Sequence, residues 1–226
     1  MIKKTLGALA ALSLFAAPTA AFAQDDEEVV AKARSFVPIN YDPSEDLENV
    51  WVLDLSNGER VKIRLMPEWA PNHVERIKTL TSQGFYDGII FHRVIDGFMA
   101  QGGDPTGTGQ GGSELPDLDE EFNPMPHVRG SLAMARATEE NSANSQFFIV
   151  FYPRFSLDKR YTNFGRVIDN MAAVDSINRG EPPRDPTRIL QASLASDSKA
   201  PPVAPAAPAT MDVDITSDML SAPITQ

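Results

Sequence analysis

The chain has 226 residues, 42% of them hydrophobic, and carries a formal net charge of −11 at pH 7. That length and composition predict one ordinary globular domain with a true core and some additional chain. The absence of cysteine excludes disulfide bonds and thiol-based catalysis. The acidic balance argues against nucleic acid or anionic lipid as a partner.

Residues 1–23 have the pattern of a secretory signal peptide. Two early lysines supply a positive end, residues 6–15 form an apolar run, and residues 21–23 offer the small-residue cleavage site Ala-Phe-Ala. A retained membrane anchor is the alternative, although Pro18 favours cleavage. We therefore expect a periplasmic protein, or one released from the cell, that has no membrane span after cleavage.

An acidic, proline-bearing lead-in arm is predicted at residues 24–46, before the folded domain. Residues 50–55 and 60–65 are strand-like runs that flank Asn57-Gly58. This dipeptide predicts a β-hairpin, because both turn residues must tolerate positive φ. In the second run apolar residues alternate with basic ones, which is typical of a half-buried antiparallel strand.

A helix is predicted to start at Pro71, which suits a first helical position, and to end at Gly84. The residues of its buried stripe are Val74, Ile77 and either Leu80 or Thr81. From residue 97 to residue 130, the abundance of glycine, proline and acidic residues predicts long surface loops.

The C-terminal half contains three further candidate elements. Residues 147–152 are continuously apolar, which predicts a strand buried on both faces. A second helix is predicted from Asp169 or Asn170 to Gly180, and residues 188–194 are a candidate closing strand. The inward residues of that helix are expected to be Met171, Val174 and Ile177.

These elements place one domain at residues 47–197. Many adjacent strands and only two helices favour an antiparallel barrel capped by helices over an alternating α/β sheet. Residues 198–226 begin with a proline–alanine stretch that buries too little to order itself, so a disordered tail is predicted. A docking peptide within residues 211–226 is the alternative.

Three features that suggest other chemistry are interpreted as structural. Residues 107–112 satisfy G-x-G-x-x-G, but an acidic, proline-broken segment follows instead of the helix that a dinucleotide site requires. The three histidines are widely spaced and lack metal-ligand spacing, so no metal site is predicted. The crowded carboxylates from Asp117 to Glu121 are interpreted as solvated charge and not as an acid–base pair.

Arg93 has a different environment. Strand alternation would put Phe91, Arg93 and Ile95 on one face, and an arginine between two large apolar side chains needs a wet pocket or a partner. With Gln101 and Gln146 beside them, neighbouring apolar residues would line a shallow groove suited to a neutral peptide with a compact apolar ring. Simple core filling is the alternative. The apolar residues concerned are Phe98, Met99 and Phe148.

Three blocks of the sequence resemble the motifs of the cyclophilins, the barrel-type peptidyl-prolyl cis-trans isomerases. The first block is residues 91–104, FHRVIDGFMAQGGD; the second comprises residues 131–137 and 144–149; the third is residues 157–167. The resemblance covers roughly residues 50–194. The spacing and the loops are most similar to those of bacterial exported members. It implies a mostly β fold, a closed antiparallel eight-stranded barrel capped by two α-helices.

The resemblance also implies which residues work. Arg93 matches the catalytic arginine of the family, and Gln101 matches the glutamine that meets a substrate carbonyl. Phe98, which matches a wall of the proline pocket, is counted with these two as catalytic. The residues matched to substrate binding are Met99, Ala135, Arg136, Gln146, Phe148, Leu157 and Tyr161. No cofactor and no metal is implied. The expected partners are proline-containing segments of client proteins. A monomer is expected because no unused hydrophobic stripe is evident in the sequence.

Two positions depart from the family pattern. Ser156 stands where many eukaryotic members have a tryptophan that contributes to cyclosporin binding, so weak cyclosporin affinity is expected. Tyr161 stands where many have a histidine. Neither change removes the arginine, so the expected function is isomerisation of X-Pro bonds that assists the folding of exported proteins. The alternative is a non-catalytic prolyl-peptide binder or periplasmic holdase, which could do without Arg93.

Overall fold

The computed structural model describes residue 42 and residues 44–202. The predicted signal peptide, most of the predicted lead-in arm and the greater part of the predicted tail therefore lie outside the described residues. Within them the strands are β1 (Val50–Leu55), β2 (Arg60–Leu65), β3 (Arg93–Ile95), β4 (Met99–Gly102), β5 (Ser131–Met134), β6 (Phe147–Val150), β7 (Asn163–Asp169) and β8 (Ile189–Leu194). The helices are α1 (Pro71–Ser82) and α2 (Met171–Asp175). No helix in the described part of the chain is long and apolar enough to cross a membrane.

The eight strands form one antiparallel sheet in the order β3-β4-β6-β5-β7-β2-β1-β8. This confirms the prediction of a mostly β fold with eight antiparallel strands and two helices. The predicted closure is wrong, because the sheet is an open half-barrel whose edge strands β3 and β8 form no ladder with each other. An isolated bridge between Ile90 and Arg188 links the segments that precede these two strands. The chain leading into β8 contains Pro182, Pro183 and Pro186, which lack the backbone N–H that a continuous ladder needs.

The predicted hairpin between β1 and β2 is confirmed, but its turn differs from the expected one. The backbone N–H of Gly58 donates to the Leu55 carbonyl at 3.0 Å, and the N–H of Leu55 donates to the Glu59 carbonyl at 2.8 Å. Only Gly58, at φ +85°, has positive φ in this turn, whereas Asn57 does not. A four-residue connection does not need the mirror-image turn that a two-residue connection requires.

Aromatic rings fill the centre of the main core. Trp51 meets Tyr86 and Phe147 edge to face, with ring centroids 5.2 and 5.0 Å apart, and Phe91 meets Phe147 at 6.1 Å. The prediction that Phe91 shares a face with Arg93 is therefore wrong. Because β3 begins at Arg93, its alternation does not extend back to Phe91, which turns into the core.

Helix α1 begins at Pro71, and Gly84 follows its end at φ +69°, as predicted. Its buried apolar residues are Val74, Ile77 and Leu80. Helix α2 is shorter than predicted, because it ends at Asp175 and not near Gly180. Beyond it, Gly180 pairs with Val94 beside β3, and this pairing takes the chain out of the helical path.

The segment from residue 103 to residue 130 has no helix or strand among the described elements, as predicted, although β4 occupies part of the predicted loop region. The interpretation of Glu121 as solvated charge is wrong, because it is 3% exposed. Its carboxylate accepts hydrogen bonds from the backbone of Asn72 at 3.2 Å and of His73 at 3.0 Å, and pairs with the His73 Nδ1 at 2.7 Å. Burial alone would raise the pKa of Glu121, but these hydrogen bonds bring it below its ordinary value. The long loop is thereby tied to the start of α1.

Candidate active site

A second, smaller apolar cluster lies on the face of the sheet opposite the main core. Along β6, Phe147 and Ile149 point into the main core, while Phe148 and Val150 point into the second cluster. This alternation confirms the predicted burial on both faces, although Tyr152 at the end of the predicted run is 59% exposed. The buried members of the second cluster are Met99, Ala133, Phe148 and Val150.

A cavity of about 830 Å³ opens above this cluster. Nine of the ten predicted site residues line it: Arg93, Phe98, Met99, Gln101, Ala135, Arg136, Phe148, Leu157 and Tyr161. The tenth, Gln146, lines an adjoining cavity of about 510 Å³ that shares Gln101, Ala135 and Arg136 with the first. The structure therefore brings the predicted residues together from β3, β4 and β6 and from the chain segments next to β4, β5 and β6.

Phe148 forms the floor of the main cavity and is supported from two sides. Its ring stacks on His127, with centroids 6.3 Å apart and planes inclined by 18°, and meets Tyr161 edge to face at 5.7 Å. The His127 Nδ1 lies 2.8 Å from the Asp158 Oδ1. Burial lowers the pKa of His127 and outweighs the opposing effect of Asp158, so the ring is neutral at neutral pH. The floor is thus apolar, rigid and uncharged.

The polar wall of the cavity is a chain of hydrogen bonds that starts at Arg93. In the β3–β4 ladder Arg93 lies opposite Gln101, and the Arg93 Nη1 donates to the Gln101 Oε1 at 3.4 Å. The Gln101 Nε2 in turn donates to the Gln146 Oε1 at 2.9 Å. The Arg93 Nε donates to the Glu181 Oε2 at 2.8 Å. The guanidinium is therefore held at two nitrogens while 41% of the side chain stays exposed.

The glycine-rich loop that satisfied G-x-G-x-x-G borders this cavity. The Gln146 Nε2 donates to the carbonyls of Gly109 at 3.1 Å and of Gly111 at 2.8 Å. On its other side the Asp104 carboxylate accepts from the N–H groups of Thr106 at 2.7 Å and of Gly109 at 2.6 Å. Burial acts against ionisation of Asp104, but the hydrogen bonds prevail and lower its pKa to about 2. The loop is a fixed wall of the cavity, held by the Gln146 Nε2, while the Gln146 Oε1 accepts from Gln101.

Two arginines cover aromatic rings at the rim. The Arg136 guanidinium lies 4.9 Å from the centre of the Tyr161 ring, and that of Arg154 lies 5.1 Å from the centre of the Phe98 ring. Arg136 also donates to the backbone carbonyl of Arg160 from Nε at 3.1 Å. These contacts fix the two rings that flank the apolar floor.

Sequence reasoning missed seven residues that line the cavity, namely His92, the four loop residues 107–110, Glu181 and Pro182. His92 was assigned no role, yet it is 5% exposed, and neither ring nitrogen has a hydrogen-bond partner in the described chain. Glu181 and Pro182 belong to the connection between α2 and β8, some 88 positions from Arg93. No local pattern links such distant residues, so no signal in the sequence could have found them.

The site therefore offers an oriented cation, amides and an apolar floor. Within the described residues, no group of three or more histidine, aspartate or glutamate side chains is placed to hold a metal ion. A cavity with these walls can bind a compact apolar ring and direct a hydrogen-bond donor at an uncharged atom beside it.

Comparisons with known proteins agree with this geometry. Residues 52–194 match the family model of cyclophilin type peptidyl-prolyl cis-trans isomerases. The chain is 43% identical to a probable peptidyl-prolyl cis-trans isomerase of Brucella suis over 170 residues, which cover 68% of this chain and 86% of the relative. It is 41% identical to peptidyl-prolyl cis-trans isomerase B of Bacillus subtilis over 128 residues, which cover 56% of this chain and 89% of the relative.

Solved structures give the same result. The fold is similar to the crystal structure of a cyclophilin from Hirschia baltica, with a TM-score of 0.63 and 28% identity, covering 72% of this chain and 84% of that one. It is also similar to a cyclophilin type isomerase from Cryptosporidium parvum crystallised in the presence of the dipeptide Ala-Pro, with a TM-score of 0.60 and 31% identity, covering 64% of this chain and 98% of that one. The chain belongs to the cyclophilin family of peptidyl-prolyl cis-trans isomerases.

Proposed function

We propose that this isomerase acts on X-Pro bonds of exported client proteins and that Arg93 is its catalytic residue. The observation that carries the proposal is the meeting, in one cavity, of the Arg93 guanidinium, the Gln101 amide and the apolar floor at Phe148. Each of these groups has a task in rotating a prolyl peptide bond.

The barrier to be lowered comes from resonance in the X-Pro amide. Sharing of the nitrogen lone pair with the carbonyl group creates a barrier of about 18–20 kcal/mol, so uncatalysed exchange takes tens of seconds or longer. In the twisted transition state the nitrogen becomes pyramidal and regains a lone pair that can accept a hydrogen bond. A catalyst need only stabilise this twisted state, without making or breaking a covalent bond.

Arg93 is the donor best placed to do so. A hydrogen bond from its guanidinium to the proline nitrogen is weak in the planar ground state and strong in the twisted state, and this difference is what accelerates rotation. Because Gln101 and Glu181 already hold the guanidinium, little reorganisation is needed when substrate arrives.

The other walls of the cavity would hold the two sides of the bond. The proline ring would lie on Phe148, between Phe98 and Leu157, while the Gln101 amide and the Arg136 backbone bind the flanking chain. The Cryptosporidium parvum relative was crystallised in the presence of Ala-Pro, which supports proline-containing peptides as the substrate class. Rotation then moves the part of the peptide that the cavity does not hold.

The proposed location rests on residues 1–23, whose lysines, apolar run and Ala-Phe-Ala cleavage site are typical of a secretory signal. After export the clients would be newly translocated chains whose X-Pro bonds have not reached their native isomer. Slow prolyl isomerisation limits the folding of such chains, so an isomerase would assist their folding. The mature enzyme is expected to act as a monomer.

Replacement of Arg93 tests the catalytic role. We expect Arg93→Ala to lower kcat/KM on a short Ala-Pro peptide by well over tenfold, because the transition state loses its donor. The measurement is a protease-coupled isomer assay on the purified domain. Since the side chain is 41% exposed, the melting temperature should change little.

Arg166→Ala is the matched control, because Arg166 is an exposed arginine on β7 that does not line the cavity. It should keep the wild-type kcat/KM. Wild-type turnover in Arg93→Ala would contradict the catalytic assignment. Peptide binding without turnover in the wild-type protein would instead favour the holdase alternative.

A further inference from the structure

The connection between α2 and β8 pairs with β3 at one point. Val94 and Gly180 form an isolated antiparallel bridge with reciprocal backbone hydrogen bonds of 2.8 and 2.9 Å. In an antiparallel pair, the residue before one partner lies opposite the residue after the other. This register puts Glu181 directly across from Arg93, on the same face.

The local sequence around Gly180 specifies this register. Gly180 has φ +144°, and a Cβ atom at this position would lie 2.6 Å from the Pro183 Cα. Only glycine therefore allows the chain to pair with Val94 and then turn sharply into the two prolines. Pro182, next to Glu181, lines the cavity. The connection thus fixes Glu181 in a position beside the Arg93 guanidinium.

The contact occupies one edge of the Arg93 guanidinium. The Glu181 Oε2 accepts from Nε at 2.8 Å, and the Gln101 Oε1 accepts from Nη1 at 3.4 Å. No hydrogen bond of Nη2 to protein occurs among the described residues. Two nitrogens are held while the third is left for substrate.

This ion pair is a poor stabiliser of the fold. The side chains of Arg93 and Glu181 are 41% and 53% exposed, and ion pairs of such exposure contribute little to stability. The pair borders the cavity, and Glu181 is hydrogen-bonded to the Arg93 guanidinium. Its main effect is therefore on the orientation of that guanidinium and not on folding. Arginine has many rotamers, so holding it before substrate binds removes an ordering cost from the reaction.

We propose that Glu181 is a positioning residue that fixes the Arg93 guanidinium for its bond to the twisted proline nitrogen. This inference rests on the proposed catalytic role of Arg93. The carboxylate also offsets part of the positive charge that Arg93 presents. For Glu181 to assist catalysis, the gain from orienting the guanidinium must exceed this electrostatic loss. The two effects can be separated, because glutamine retains a hydrogen-bond acceptor without the charge.

The test compares Glu181→Ala with Glu181→Gln, using kcat and KM for an Ala-Pro peptide measured by NMR exchange spectroscopy. Glu181→Ala should lower kcat about tenfold, equivalent to about 1.4 kcal/mol, with KM changed less than about twofold. Glu181→Gln should recover most of that loss, because its amide oxygen can accept the Nε–H bond. A KM increase with unchanged kcat, or wild-type kinetics in Glu181→Ala, would overturn the proposal.

Asp96→Ala is the matched control. Asp96 pairs with Arg179 of the same connection at 3.3 Å, and its side chain is 86% exposed. It does not line the cavity. Its removal should leave kcat at the wild-type value, and a tenfold loss in this control would assign the effect to general disturbance of the connection.

Two further measurements keep the inference separate from the assignment of Arg93. In the Arg93→Ala background, Glu181→Ala should cause no further loss of kcat; an additional tenfold loss would refute positioning through Arg93. If Arg93→Ala itself retains wild-type turnover, the proposed function fails first. The Arg93 Nε–H resonance should exchange slowly with water in the wild-type protein and rapidly in Glu181→Ala, and unchanged exchange would also refute the proposal.

Discussion

Phe148 belongs both to the second apolar cluster and to the candidate active site. It lies in the second apolar cluster at 5% exposure and is at the same time the floor of the cavity. The ring is stacked on His127 and held at its edge by Tyr161. We therefore expect this one side chain to affect both stability and substrate binding, whereas loss of the Arg93 side chain should leave stability nearly unchanged.

Truncation of this ring should have two measurable effects. Phe148→Ala is expected to lower the free energy of unfolding by about 3–5 kcal/mol, because it leaves a cavity in a packed cluster. It should also raise KM for an Ala-Pro peptide, because the proline ring loses its floor. Urea unfolding, followed by the fluorescence of the buried Trp51, measures the first effect, and the isomer assay measures the second.

Phe148→Leu is the comparison, since it retains most of the apolar volume. It should lose less than half of the stability lost by the alanine variant. An alanine variant with wild-type KM would show that the proline ring does not rest on Phe148.

At the scale of elements, the glycine-rich loop illustrates how a segment without helix or strand can be rigid. Asp104 fixes the loop from one side and Gln146 from the other. Four residues of this loop, Gly107–Gln110, line the main cavity. Its order is therefore a condition for the shape of the site, and that order depends on one ionised carboxylate.

Lowering the pH should reduce the order of this loop over a pH range that is set by the pKa of Asp104. The folded-state pKa of Asp104 is about 2, below its ordinary value of 3.8, so its stabilisation is complete above the ordinary pKa and is lost as the pH falls through about 2. Asp104→Asn should lower the melting temperature at pH 7, and the difference from the wild type should shrink below about pH 4. Thermal unfolding followed by circular dichroism from pH 7 to pH 2 measures this.

The exposed Glu114 provides the control for this experiment. Glu114→Gln should melt like the wild-type protein at pH 7. If Asp104→Asn stays less stable by the same amount down to pH 2, the charge of Asp104 is not what orders the loop.

Elements differed in how far the sequence could predict them. The first two strands and α1 have strong alternation or helical periodicity and clear end signals, so their bounds were predicted almost to the residue. Strands β4, β5 and β7 contain alanine, glycine, serine and asparagine, whose local patterns do not indicate strands. They form because neighbouring strands supply hydrogen-bond partners, which is a tertiary effect.

At the scale of the whole molecule, the family match at residues 52–194 lies inside the predicted domain at residues 47–197. The predicted signal peptide, arm and tail flank this domain and remain predictions. The chain as a whole has a net charge of −11, whereas two of the three charged side chains that line the main cavity, Arg93 and Arg136, are positive and the third is Glu181. The side chains that line the cavity therefore carry a small positive charge on balance, opposite in sign to the net charge of the chain.

Export can be tested on the chain of 226 residues. Expressed in a Gram-negative host, it should appear in the periplasmic fraction with Gln24 as its first residue, because cleavage follows Ala23. Mass spectrometry of the fractionated cells gives both location and terminus. A variant with Lys3 and Lys4 replaced by glutamate should stay uncleaved. A full-length product in the membrane fraction of the wild type would favour the anchor alternative.

The sequence by itself determined the family and nine of the residues that line the main cavity. The block at residues 91–104 contains Arg93, Phe98, Met99 and Gln101 within a few positions of one another. The hairpin of β3 and β4 then places all four side chains at the same cavity. Motifs of this kind can be read because their residues are close along the chain.

Only the tertiary structure decided which distant groups complete the site. Glu181 meets Arg93 across 88 positions, and Glu121 is buried against His73 across 48 positions. The open edge between β3 and β8 and the inward turn of Phe91 likewise depend on where the chain returns. Such contacts arise from the packing of separate elements, and local periodicity carries no information about them.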